Sequence, residues 1–102
     1  VLYEAAAAGL PFLTVPVGNA AEIARGTGGG GICPAHVDAR GYTNVDPAVL
    51  AEHIERLAAD PTTLSAFAGA GHKSWMERFT WEKIADQYEA VLSRLVKERL
   101  TI

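Results

Sequence analysis

The chain has 102 residues, of which 49% are hydrophobic and 21% charged, and its formal net charge is −3. This composition is that of an ordinary globular domain, and it excludes a disordered segment and a general attraction to nucleic acid. No apolar run is long enough to span a membrane, and the residue pattern does not predict a signal peptide. A single cysteine, Cys33, excludes an internal disulfide. We expect one domain, or part of one, in the cytoplasm.

The first sixteen residues, VLYEAAAAGLPFLTVP, predict a short helix, a turn and a buried strand. Leu2 to Ala8 is rich in alanine, Gly9 is the expected C-terminal glycine of the helix, and Pro11 lies where a helix cannot continue. Phe12 to Val17 is continuously apolar, which is typical of a strand buried on both faces in a parallel sheet. Because the chain opens on helix-like sequence without an initiator Met, we expect it to be a portion of a longer protein.

The next segment predicts a second strand that is reached through a short helix. After a turn at Gly18-Asn19, a short helix is predicted over Ala20 to Arg25 and a short strand at Ile32-Cys33. This order is compatible with a βαβ unit. The glycine-rich stretch between them, Gly26 to Gly31, matches neither G-x-G-x-x-G before a helix nor a P-loop, so we favour a flexible connector over a phosphate-binding loop.

The second half of the chain is predicted to be helical, after a polar and irregular segment from Ala35 to Val45. Asp46-Pro47 and Asp60-Pro61 each pair an aspartate N-cap with a proline at the first helical position. Gly69 and Gly71 are expected to weaken the middle of the second of these helices. Thr80 is predicted to cap a last helix with a long apolar face, made of Trp81, Ile84, Ala85, Tyr88, Val91, Leu92, Leu95 and Val96.

Glu4 is the first candidate for chemistry. In an open α/β sheet, ligands bind beyond the carboxyl ends of the strands and near helix N-termini, where an early carboxylate can accept hydrogen bonds from a ribose diol. Composition alone favours an ordinary solvated glutamate. The turn at Gly18-Asn19-Ala20 fits ligand contact through its backbone N–H groups and a plain turn equally well.

The histidines and the large aromatic residues are expected to have structural roles rather than to form a site. The histidines are His36, His53 and His72. They lack metal-ligand spacing, and Cys33 with His36 is a single pair, which is too little for zinc. Trp75, Trp81 and Tyr88 fall on apolar helix faces, so we expect them in the core rather than in a binding surface.

Two stretches together resemble one enzyme family. LYEAAAAGLPFLTVPVGNAAE resembles the segment L-E-A-M-A-x-G-x-P-V-V-x-T-x-x-G-G-x-x-E of retaining nucleotide-sugar glycosyltransferases of the GT-B fold, of the group one, family four type. LAEHIERLAADPTTLSAFAGAGHKSWMERFTWEKIADQYEAVLSRL resembles the ending of that family, including the phrase F-T-W-E-x-I-A-x-x-Y. The resemblance implies that residues 1–102 are the C-terminal portion of a Rossmann-like, nucleotide-sugar-binding α/β domain. It implies two parallel strands followed by three to four helices. The resulting domain would be incomplete in the isolated chain.

The resemblance also implies a role for Glu4. Family members carry two glutamates separated by seven residues, of which the first lies near the donor sugar and the second binds the ribose. Glu4 matches the second, and the first would fall before Val1, so no catalytic residue is expected within this chain. Four further residues are expected to shape the nucleotide pocket: Leu2, Tyr3, Gly18 and Asn19. Asn19 replaces the usual second glycine of the family pattern, and neither a metal nor another cofactor is expected.

The resemblance implies that the intact enzyme transfers a sugar, with retention, from a nucleotide-diphosphate donor to a glycan or lipid-linked acceptor. We expect two partners, namely this donor and a missing N-terminal part of the same protein. The isolated chain is expected to bind the donor weakly and to be inactive. Self-association is expected through exposed strand edges or the last helix. The basic residues Arg94, Lys97 and Arg99 are compatible with peripheral contact with an anionic membrane, although a solvated helix end is favoured.

Two alternatives stay open. The chain is also compatible with a non-catalytic interaction or regulatory module that acts through helix pairing, which accounts for the long apolar face of the last helix. A sugar epimerase of the same fold is the second alternative. A glutamate eight residues before Glu4, followed by Gly-Phe-Gly, would support the transferase, and a native start near Val1 would support the module.

Overall fold

The computed structural model describes residues 1–100. Its elements in chain order are α1 (Leu2–Ala7), β1 (Phe12–Thr14), α2 (Ala20–Thr27), β2 (Gly30–Ile32), β3 (His36–Val37), β4 (Thr43–Asn44), α3 (Pro47–Ala58), α4 (Pro61–Ser74), a π-helical turn (Trp75–Phe79) and α5 (Trp81–Leu100). The protein is therefore α/β, mostly helical, with a small parallel sheet formed by β1 and β2.

The helix boundaries follow local capping chemistry. Asp46 accepts a hydrogen bond of 2.9 Å from the N–H two residues later, and Asp60 accepts one of 3.0 Å from the Thr63 N–H. Thr80 Oγ1 accepts a 3.3 Å hydrogen bond from the N–H three residues later, at the start of α5. Gly9, with φ of +68°, follows α1 in the left-handed conformation that glycine adopts at little cost. These four predicted boundaries are confirmed.

The two parallel strands are present, but β1 is shorter than predicted. Phe12 pairs with Gly30 and Thr14 with Ile32, and the strand ends before Val15. Pro16 has no N–H to donate to a sheet, and the Val17 N–H instead turns back to the Val15 carbonyl oxygen at 2.8 Å. The residues of β1 are half-buried rather than fully buried, since one neighbouring strand pairs with it in the described chain.

The glycine-rich stretch is ordered secondary structure, so the prediction of a flexible connector is wrong. Gly26 and Thr27 complete α2, Gly28 ends it at φ of +67°, and β2 begins two residues later. A Cβ on Gly30 would lie 2.3 Å from the Phe12 carbonyl oxygen. Gly30 is therefore required by the close approach of β2 to β1.

Small residues form the centre of the fold, where α1, α2 and α4 meet. The buried residues are Ala6, Ala24, Thr27, Gly29, Cys33 and Gly71. A Cβ on Gly71 would lie only 2.9 Å from the Gly29 Cα atom, so α4 approaches the chain before β2 at backbone distance. Gly69 and Gly71, which were expected to weaken the middle of this helix, do not interrupt it, because α4 continues through both to Ser74.

The segment predicted to be irregular contains a two-stranded antiparallel hairpin, β3–β4. Asp38 organises its turn by accepting hydrogen bonds from the N–H groups of Tyr42 (3.0 Å) and Arg40 (2.9 Å) and from the Asn44 amide (2.9 Å). The Tyr42 N–H, followed by the Asn44 amide, lowers the pKa of Asp38 below its ordinary value. This carboxylate is thus occupied by its own turn.

Helix α5 projects from the body of the protein, and its main contact within residues 1–100 is the π-helical turn. Trp81 is 85% exposed and Tyr88 69% exposed, so the expectation that they lie in the core is wrong. The radius of gyration is 17.8 Å, whereas about 13 Å is typical of a compact domain of this length. No helix within residues 1–100 has the length and apolarity needed to cross a membrane.

Candidate functional site

A groove of about 740 Å³ lies where the start of α1 meets the π-helical turn and the start of α5. Four aromatic side chains and two polar ones give it its chemical character: Tyr3, Trp75, Phe79, Trp81, Glu4 and Gln87. None of the described side chains that line it is a Lys, Arg or His. We call this site the aromatic groove.

The π-helical turn positions one wall of the aromatic groove. Phe79 ends that turn and faces Tyr3 of α1, with the ring centroids 4.9 Å apart and the planes tilted by 43°. The guanidinium carbon of Arg78 lies 4.9 Å from the centroid of the Phe79 ring, and its N–H donates to the Gly26 carbonyl oxygen. The turn is therefore held to α1 by ring contact and to α2 by a hydrogen bond.

A second contact holds α1 against α4. His72 Nδ1 lies 3.1 Å from the Ala7 carbonyl oxygen, which belongs to the last turn of α1. The neighbouring Gly71 also lies beside α1, since a Cβ there would be in ordinary van der Waals contact with Ala6, 3.7 Å from its Cα atom. This packing fixes the orientation of the first turn of α1, which carries Glu4.

Glu4 stands at the rim of the aromatic groove with its side chain 85% exposed. Its Oε1 atom lies 3.8 Å from the Val1 amino nitrogen, and in the described part of the chain the carboxylate makes no hydrogen bond to another side chain. Both carboxylate oxygens can therefore accept hydrogen bonds from a ligand in the groove, in competition with water.

The structure brings together two of the five residues assigned to the site from the sequence. Tyr3 and Glu4 line the aromatic groove, and Leu2, Gly18 and Asn19 do not. Leu2 is half-buried in α1. Gly18, with φ of +55°, and Asn19 form an exposed turn before α2, in which the Asn19 side chain makes no capping hydrogen bond. Ligand contact at these three residues stays a prediction.

Several groove residues were not assigned to the site from the sequence. Trp75 and Phe79 are the first and last residues of the π-helical turn, and Trp81 and Gln87 lie in the first two turns of α5. The phrase Phe79-Thr80-Trp81-Glu82 was recognised as a family signature, but its position beside α1 depends on the π-helical turn, which has no sequence signal.

No other cluster within residues 1–100 suggests chemistry. None of its groups of His, Cys, Asp and Glu reaches the three ligands that would hold a metal ion. His53 Nδ1 lies 2.9 Å from the Val49 carbonyl oxygen one turn earlier in α3. Hydrogen bonds from the Thr63 hydroxyl and then the Thr63 N–H lower the pKa of Asp60, which acts as a helix cap.

Comparison of the chain with protein-family models, with curated proteins and with solved structures gave no match. The family suggested by the sequence motifs therefore stays a prediction.

Proposed function

We propose that this chain forms part of the nucleotide-sugar-binding domain of a retaining GT-B glycosyltransferase, in which Glu4 binds the ribose of the donor. The observation that carries the proposal is the position of Glu4 at the rim of the aromatic groove. The parallel strands β1 and β2 and the helices that pack on them are compatible with the C-terminal part of such a domain.

The aromatic groove offers the two kinds of contact that a nucleoside needs. Aromatic side chains provide faces and edges on which a base ring can stack, and the ring of Trp81 is largely exposed to do so. A carboxylate beside them can accept both hydroxyl hydrogens of a ribose diol, through charge-assisted hydrogen bonds. Tyr3 and Glu4 are adjacent on α1, so stacking and diol recognition would act on one ligand.

The groove does not provide what sugar transfer itself needs. A departing nucleoside diphosphate is stabilised by cationic side chains and backbone N–H groups directed at its oxygens. No Lys or Arg is among the described residues that line the aromatic groove. We therefore expect the chain alone to bind nucleoside diphosphates weakly and to transfer no sugar.

The proposal is tested by titrating ¹⁵N-labelled chain with uridine diphosphate and guanosine diphosphate while amide chemical shifts are recorded. We expect saturable shift changes at Tyr3, Glu4 and Phe79 with at least one of the two ligands, with a dissociation constant of about 1 mM, which corresponds to about 4 kcal/mol of binding free energy. The Glu4→Ala variant should lose most of this binding.

Glu22→Ala provides a matched control, since Glu22 is also an exposed carboxylate in the first turn of a helix but does not line the groove. It should bind as the wild type does. Absence of saturable changes at the groove with either ligand, or equal losses in the two variants, would contradict the proposal. Binding at nanomolar concentration would contradict the view that the groove lacks a diphosphate site.

A second candidate function is a non-catalytic interaction module that acts through helix pairing. The observation that favours it is the exposed apolar face of α5, on which Leu92 is 60% exposed and Leu95 50% exposed. A chain that binds neither nucleotide but associates through α5 would support this candidate over nucleotide recognition.

A further inference from the structure

We propose that α5 pairs antiparallel with α5 of a second copy of this chain. This pairing does not depend on the role of Glu4, although the start of α5 also lines the aromatic groove. It rests on three observations, namely the apolar stripe of α5, the distribution of charge along the helix, and the length over which the stripe is uncovered.

The apolar residues of α5 form a continuous stripe, which we call the α5 seam. The seam consists of Trp81, Ile84, Tyr88, Val91, Leu92, Leu95 and Val96. At 100° per residue these side chains span an arc of about 140°, comparable to the core-facing stripe of a packed helix. Six of the seven are at least 46% exposed, and Ile84 is half-buried.

Charge divides α5 into two halves of opposite sign. The first ten residues carry Glu82, Lys83, Asp86 and Glu89, a net charge of −2. The last ten carry Arg94, Lys97, Glu98 and Arg99, a net charge of +2. Antiparallel pairing of two copies places each acidic half along the basic half of the other helix, whereas parallel pairing places like charge along like charge.

The side chains of the α5 seam also match in the antiparallel arrangement. When the two helices cross near Val91 and Leu92, Tyr88 of one copy lies opposite Leu95 of the other. Val91 of one copy likewise lies opposite Leu92 of the other, so the centre of the seam is apolar on both helices. The helix macrodipoles are opposed, which is the favourable orientation.

The same charges argue against a membrane as the occupant. Helices that lie on anionic membranes carry an excess of Lys and Arg on their polar face. In α5, four acidic side chains balance four basic ones, and one pair, Arg94 with Glu98, approaches to 3.9 Å within the helix. A polar face without net charge gains no electrostatic attraction to such a surface, so a protein helix of matching pattern is the better partner.

The size of the seam sets the strength of the expected association. A helix of 20 residues is about 30 Å long, and a seam of this length buries less than the roughly 800 Å² per partner of a standard interface. The dimer is therefore expected to exchange with monomer at micromolar concentrations rather than to be permanent.

Sedimentation velocity over a range of protein concentrations tests the association. The wild type should shift from monomer to dimer as concentration rises, and Leu92→Glu should remain monomeric at every concentration. Ala90→Glu adds the same charge on the opposite, exposed side of α5 and should dimerise as the wild type does. Far-UV circular dichroism verifies that all three chains keep their helices, and Leu95→Glu provides a second seam variant.

A distance measurement tests the orientation. A nitroxide on cysteine in the Glu82→Cys variant labels the start of α5, while Cys33 is fully buried and so protected from the reagent. Antiparallel pairing predicts a separation of about 25–30 Å between the two labels, because each lies at an opposite end of the paired helices. Parallel pairing predicts labels about 10 Å apart, at the interaxial distance.

A wild-type chain that stays monomeric at all concentrations would overturn the proposal, as would a dimer that Leu92→Glu does not dissociate. A short separation between the labels would overturn the antiparallel arrangement. A monomeric wild type that cosediments with anionic vesicles would assign the seam to a membrane instead. Trp81 and Ile84 belong to both the α5 seam and the aromatic groove, so nucleotide titration of the monomeric Leu92→Glu chain separates this proposal from the role of Glu4.

Discussion

Substituting alanine for Gly71 tests the close approach of α4 to the rest of the fold. Gly71 is buried, and an added Cβ would lie 2.9 Å from the Gly29 Cα atom. Backbone cannot move aside as the end of a flexible side chain can. The substitution must therefore push α4 away from the chain before β2. The same Cβ would make only an ordinary contact with α1, at 3.7 Å from the Ala6 Cα atom.

Two opposing terms set the size of the effect. Alanine is favoured over glycine in a helix interior by about 1 kcal/mol, whereas overpacking a tight contact costs about 1–3 kcal/mol. Gly69 lies in the same helix, and a Cβ there meets nothing within 4 Å. Gly69→Ala should thus stabilise the protein by about 1 kcal/mol, and the difference between the two variants isolates the steric term of about 1–3 kcal/mol.

Urea denaturation followed by far-UV circular dichroism measures both variants under the same conditions. We expect the urea midpoint of Gly69→Ala to lie above that of the wild type. The midpoint of Gly71→Ala should lie clearly below that of Gly69→Ala, and the three denaturation curves should have similar slopes. Equal midpoints for the two alanine variants would refute the close approach of α4, since the helix-propensity gain would then be all that either substitution changes.

Three further predictions follow from the hydrogen bonds of the described residues. Thr27 is buried, and its hydroxyl accepts a 3.1 Å hydrogen bond from the Gly29 N–H. Thr27→Val should therefore lower the free energy of unfolding, measured by urea denaturation, by about 1–3 kcal/mol, and Thr27→Ser should lower it by less. Asp46→Ala removes the N-cap of α3 and should lower the free energy of unfolding by about 1 kcal/mol. Asp46→Asn should retain most of the stability in the same assay. Hydrogen bonds from Thr63 hold the pKa of Asp60 below its ordinary value of 3.8. The contribution of Asp60 to the stability of the fold is therefore fully present above pH 3.8 and is lost as the pH falls through the lowered pKa. Asp60→Asn should flatten the acid side of the stability profile measured against pH, and an unchanged profile would contradict this assignment.

The parts of the fold that depend on near neighbours in the sequence were predicted. The two Asp-Pro helix starts, the Thr80 cap and the glycine after α1 are each determined by a few adjacent residues, and all four are present. The parallel pairing of two strands was also predicted. The four helix boundaries require only local propensity and the removal of an N–H by proline or of a Cβ by glycine. The strand pairing joins residues 18 apart, and it was inferred from the order of the elements rather than from local propensity.

The parts that depend on distant contacts were not predicted. In the sequence, Gly29 and Gly71 indicate flexibility. In the fold, however, their backbones lie in direct contact, which leaves little room for a side chain on either residue. The apolar periodicity of α5 was recognised, yet periodicity does not show whether another element covers the stripe, and Trp81 is largely exposed. In the candidate site, Tyr3 and Glu4 were identified, whereas the wall contributed by Phe79 depends on a π-helical turn that local sequence does not signal.

The most direct test of the central claim is a binding cycle that removes the two interacting groups separately and together. Wild type and Glu4→Ala are each titrated with a nucleoside diphosphate that binds the groove and with its 2′,3′-dideoxy counterpart, which lacks the ribose diol. Removing the diol should weaken binding to the wild type about fivefold, which corresponds to about 1 kcal/mol. It should leave binding to Glu4→Ala unchanged, because the carboxylate that reads the diol is gone. Equal weakening in both chains, or none in either, would contradict the assignment of Glu4 as the ribose-binding residue.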